Sequence, residues 1–153
     1  MNIYTAITNI LTAINSNAVC YVLEKSRFEA ETLNITTPAI NIQPNIKGST
    51  KLTKGGELMN TATYDILFLS QDEFDNSDNS ADVLKKYTQN SMEIVETMRI
   101  LANTVIKNLS QITNVKIYEF TYTNALRVNS NTMTGVNVTL KLTYSDNIIC
   151  SYE

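Results

Sequence analysis

The strongest constraint on this chain lies in its second half. Val83, Leu84, Tyr87, Val95, Met98, Leu101, Ala102, Val105 and Leu109 recur at helical spacing, with polar residues between them. That period places them on one stripe of a helix from about 81 to 109, which at about 1.5 Å per residue runs roughly 40 Å. Asn79 or Ser80 can cap its start, and Asp82 in the first turn suits the helix dipole. A stripe of that length has to be covered along its whole extent, and a sheet is the economical partner.

The other segments read as the strands of that sheet. Val19, Tyr21 and Leu23 alternate with Cys20, Val22 and Glu24, which predicts a largely buried first strand; a polar connection anchored by Phe28 and Leu33 follows. After Pro38, Ile40, Ile42 and Ile46 alternate with Asn41, Gln43 and Asn45, predicting a half-buried strand in which Pro44 marks an edge or a bulge. Lys47-Gly48-Ser49 and Lys54-Gly55-Gly56 bracket a flexible basic hairpin tip, about 47–57. Its return strand runs from about Leu58 to Leu69, with apolar residues on both faces of the second half. A closing antiparallel hairpin pairs a strand over Val115–Val128, with Tyr118, Phe120 and Tyr122 on one face, with Val136, Val138, Leu140, Leu142 and Tyr144. At the start, Ile3, Ile7, Ile10, Leu11 and Ile14 share one face of a short helix that Asn15-Ser16-Asn17 terminates. That face reads as core, with packing against a neighbouring subunit as the alternative.

The order is therefore α-β-β-β-α-β-β: one α+β domain over residues 1–153, with a single mixed or antiparallel sheet of four to five strands. The long helix packs on one face, beside the short N-terminal helix. With 43% hydrophobic and 18% charged residues the chain can bury a core without staples. Cys20 and Cys150 are accordingly expected as free thiols. The opening residues lack the pattern of a signal peptide, so an intracellular site is expected, and the sequons at Asn34, Asn108 and Asn137 then carry no meaning. No apolar run approaches the roughly 18 residues of a membrane span. A net charge of −3 argues against a dedicated nucleic-acid binder.

Chemistry is sparse. The chain has no histidine, which removes histidine-based triads, metal sites and general bases. Neither phosphate-binding glycine pattern occurs. The acidic loop at about 71–80 carries Asp72, Glu73, Asp75 and Asp78, but it has no glycine, and Lys86 stands where a calcium loop needs glutamate. It reads as a solvated loop capping the long helix. The expectation is a non-enzymatic protein with no cofactor, working by docking onto other chains. Lys47, Lys51 and Lys54, joined by Arg27, are the candidate interaction residues, facing nucleic acid or an acidic protein surface. The plainer reading is that these lysines keep an edge hairpin soluble.

The element order, with Ile40-Asn41-Ile42-Gln43-Pro44 and Tyr64-Asp65-Ile66-Leu67-Phe68-Leu69 leading into Asp75-Asn76-Ser77-Asp78, resembles the tail-terminator and neck proteins of tailed phages, in particular those of phages of Bacteroidetes hosts. The resemblance implies a structural virion protein, assembled in the bacterial cytoplasm, that joins tail tube to head connector. It further implies a homo-oligomeric ring, usually a hexamer, with adjacent connector and tube proteins as partners, genomic DNA passing through the lumen and no membrane contact. A portal-bound connector ring of a short-tailed phage, in which a dodecamer is the expectation, and a small protein-binding adaptor domain are the competing readings.

Overall fold

The computed structural model describes residues 1–30, 35–72, 81–126 and 133–146. Leu33, the loop residues Glu73, Asp75 and Asp78, the expected caps Asn79 and Ser80, and Cys150 lie outside the described residues, as do the side chains of Asp82, Val83, Leu84 and Tyr87.

The elements run α1 (Ile3–Ala13), β1 (Val19–Tyr21), α2 (Lys25–Ala30), β2 (Ala39–Ile42), β3 (Lys47–Leu52), β4 (Leu58–Gln71), α3 (Ala81–Ser110), β5 (Val115–Ala125) and β6 (Met133–Asp146). The fold is α+β, with one mixed sheet ordered β1-β2-β4-β6-β5 and β3 paired to β4. The sheet holds six strands rather than four or five, because the outgoing arm of the long hairpin is broken in two. Ile42 pairs with Ile66 and Lys47 with Thr63, so the outgoing side holds two more residues than β4 does over the same span. Pro44 sits in that excess, since it cannot donate to a ladder. The segment read as a flexible tip is a regular strand as far as Leu52, and only Thr53–Glu57 turn. Gly56 supplies the positive φ of 80° that the turn needs.

Helix α1 begins where the Asn2 side chain accepts a hydrogen bond from the Thr5 amide, 3.2 Å. It ends where Asn15 takes a left-handed conformation and the Ser16 amide reaches back to the Leu11 carbonyl, 2.9 Å. Helices α1 and α3 cover one face of the sheet. Ile3, Ile7, Ile10 and Leu11 of α1, and Val95, Met98, Ala102, Val105, Ile106 and Leu109 of α3, share a core with the even-numbered residues of β4 and β6. Thus the isoleucine face of α1 is core within this chain.

Two burial patterns differ from expectation. β1 is a three-residue edge strand, parallel to β2, with Val19 exposed and Cys20 and Tyr21 half-buried. β2 is buried at every residue because β1 and β4 flank it. Asn41, expected on a solvent face, is fully buried, and its amide both accepts from the Leu23 N–H and donates to the Leu23 carbonyl, 3.0 Å each. Those two bonds satisfy a polar group that burial would otherwise penalise. The expected polar connection contains the short helix α2, whose Phe28 joins Ala39, Leu67, Leu69 and Met133 in a second apolar cluster on the other face.

Candidate interaction surface

Directly paired residues of an antiparallel ladder lie on the same face, so the register assigns every side chain on this sheet. The odd-numbered residues of β4 and β6 point away from α1 and α3. At one end of that face Phe28 and its neighbours cover them. Towards the hairpin tip the same face is open. Lys47 pairs with Thr63, Thr63 with Lys141 and Lys141 with Glu119, making one cross-sheet row. The next row is Ser49, Thr61, Thr143 and Lys116, and Lys51 lies opposite Met59 beyond it.

Lys47 and Lys51 therefore share a face with Lys116 and Lys141, and all four are exposed. Asp65 and Glu119 share this face, the exposed Glu57 lies in the turn with Lys54, and the Asp65 carboxylate accepts a hydrogen bond from Thr139 Oγ1, 2.9 Å. Lys54 sits in the turn at the end of the arm. Arg27 is not part of this group. It stands on α2 beside Phe28, whose cluster includes Leu67, four residues along β4 from the partner of Lys47 and eight from that of Lys51, separations of roughly 14 and 27 Å along the strand. Lys116 and Lys141 escaped sequence reasoning because their sequence neighbours are apolar or polar strand residues; only cross-strand register brings them beside Lys47.

The edge strand β5 forms the opposite rim. A bulge between Ile117 and Glu119 adds one residue, Tyr118, so the alternation changes phase there. Val115 and Ile117 point to the helix side before it, Phe120 and Tyr122 after it, paired with buried Leu140 and Val138. Tyr118 leaves the face it was expected to share with them, and the Lys116 ammonium lies 5.3 Å from its ring centroid. Tyr118, Phe120 and Tyr122 are 60%, 40% and 48% exposed. Among the described residues no strand pairs with the outer edge of the eleven-residue β5, and an edge with three exposed aromatic rings is a template for another chain.

Asp72 departs from the solvated-loop reading. It is fully buried just after β4, and its carboxylate accepts from Asn90 Nδ2 at 3.0 Å, Ser91 Oγ at 2.6 Å and Thr134 Oγ1 at 2.8 Å. Its role is to tie the end of β4 to α3 and to the start of β6. Burial pushes the Cys20 thiol up to about 11, so it stays protonated and unreactive near neutral pH. Among the described residues no group of three or more acidic or cysteine side chains is placed to hold a metal ion.

No protein-family model matches the chain, and no curated protein matches it.

Proposed function

We propose that this chain is a structural, non-enzymatic subunit of a ring at the head–tail junction of a tailed phage, a tail terminator or neck protein that joins the tail tube to the head connector. The observation that carries the reading is the unlikeness of its two open rims. One is an arm, β3 with its turn, exposed at all six strand residues and carrying lysines. The other is the aromatic edge of β5. A subunit that docks one surface into a different surface of its neighbour makes heterologous contacts, and these close into rings when the rotation allows. The element order that resembles the phage proteins supports the same reading.

On this reading the arm, with Lys47, Lys51 and Lys54, reaches the adjacent ring or the lumen through which DNA passes. Replacing all three with glutamate is expected to leave the melting temperature within about 2 °C of the parent, because exposed positions away from special contacts shift stability little. Head–tail joining, scored as virion yield in a complementation assay, is expected to fail. A folded triple variant that gives normal virion yield contradicts the assignment of the arm.

A further inference from the structure

Two strands of the sheet are exposed on both faces. β3 is exposed at all six residues, and β5 is exposed without a break from Tyr118 to Asn124. Phe120 and Tyr122 point to the helix side and are still 40% and 48% accessible, so α3 leaves this rim open. β6 runs along the whole of one edge of β4, which puts β3 on the other edge and makes β3 and β5 opposite borders of one sheet. Among the described residues no strand takes the outer edge of either. Each border therefore turns a row of backbone donors and acceptors towards solvent.

We propose that the two borders are partners: the β3 arm of one copy adds as a strand to the β5 edge of the next, with Lys51 opposite Glu119. The inference rests on the ring of unlike edges proposed above and names the segments that meet. Three antiparallel pairings separate β3 from β5, so the two run in opposite senses within one chain. Copies placed side by side, so that one sheet continues into the next, keep those senses. The added strand is then antiparallel to β5.

Charge selects the register. The face away from α1 and α3 carries Lys47 and Lys51 on β3 and Glu119 on β5. Two registers set a lysine against that carboxylate. With Lys47 there, the arm lies across the bulge at Tyr118, where the extra residue breaks the ladder. With Lys51 there, the arm lies along the unbroken stretch beyond the bulge, where Ser49 meets Thr121 and Gly48 meets Tyr122. An opposite-charge pair and an aromatic ring beside a strand glycine both favour this second register. The six residues of β3 form about 20 Å of ladder there and cover Phe120 and Tyr122. A second β3 is a poor partner for the arm, because antiparallel pairing centred on Ser49 sets Lys47 against Lys51.

The test uses the full chain with Cys20→Ser and Cys150→Ser, to which Ser49→Cys and Thr121→Cys are added together. Within one chain those positions stand three strand spacings apart, about 14 Å, so a disulfide between them joins two chains. Mild oxidation is expected to give a ladder of covalent oligomers on non-reducing gels, about tenfold or more above either single-cysteine variant, with the 49–121 linkage found by peptide mapping. Adding Glu119→Lys or Lys51→Glu alone is expected to lower that yield about fivefold, and adding both to restore it. Ring-sized particles by light scattering without the 49–121 linkage overturn this inference and leave the ring reading standing. The linkage in open chains of mixed length upholds the junction and sinks the ring. Monomers without the linkage overturn the junction, as does Thr121→Cys crosslinking to itself as well as the double variant does, which means two-fold pairing of β5. Should a cysteine variant fail to fold, Lys47→Cys with Thr123→Cys, two residues along the same ladder, carries the comparison.

Discussion

Gly135→Ala is expected to be the most damaging single substitution among the described glycines. A Cβ at this position would lie 1.8 Å from the Phe68 carbonyl oxygen, 2.9 Å from its carbon and 3.1 Å from the Leu69 Cα. All three are backbone atoms of β4, so no side chain can swing aside. Gly135 pairs with Leu69 in the ladder between β4 and β6, the two fourteen-residue strands at the centre of the sheet. To admit a methyl group these strands must separate where Phe68, Leu69 and Val136 are fully buried. Overpacking a core usually costs about 1–3 kcal/mol, and a clash with immovable backbone belongs at or above the top of that range. For a domain of this size about 3 kcal/mol lowers the melting temperature by roughly 6–12 °C. Gly55→Ala is the control, because its added Cβ would meet nothing nearer than Thr53 Oγ1 at 4.0 Å. Equal melting temperatures for the two variants would contradict the close approach.

Asp72→Ala is expected to be nearly as costly. It removes the acceptor for Ser91 and Thr134, which are both buried, and for the Asn90 amide. A hydrogen bond to a charged group contributes about 1.5–3 kcal/mol, and a buried donor robbed of its acceptor costs about 1–3 kcal/mol, so a net loss of about 2–4 kcal/mol follows for this coupled set. Asp72→Asn keeps the shape and one acceptor oxygen while turning an amide donor towards hydroxyl neighbours, and it should fall between the parent and Asp72→Ala. Denaturant melts of the three proteins order them. A midpoint for Asp72→Ala equal to that of the parent would show that this network contributes nothing.

The long helix, the N-terminal helix and both hairpins were legible because apolar residues repeat at 3.6 or 2 over many positions. Helix α2 was not, since six residues with one buried aromatic carry no period. The burial of β1 and β2 differs from what their alternation predicts, because whether a strand is an edge or an interior strand depends on which neighbours it acquires. Asn41 illustrates this: it occupies a polar slot in a clean alternation, yet β1 and the Leu23 backbone close over it. Tyr118, Phe120 and Tyr122 alternate without fault in sequence, and only the extra residue in β5 reveals the change of face. Asp72 looked like one more solvated acid, because its partners lie 18, 19 and 62 positions away.

The candidate surface was half legible for the same reason. Lys47, Lys51 and Lys54 are close in sequence and stand together on the arm. Lys116 and Lys141 join them through the pairing of three strands, and Arg27 lies towards the far end of β4. A short-range cluster can be read along the chain, whereas a cross-strand cluster needs the register.

The central claim is that the chain builds a ring from unlike edges. Light-scattering mass after size exclusion, with negative-stain images of the same peak, tests it most directly. Six chains of 17.1 kDa give about 103 kDa, and the account predicts that mass together with ring-shaped particles. A stable two-fold dimer, in which each surface meets its own copy and no edge remains to extend the assembly, would contradict it.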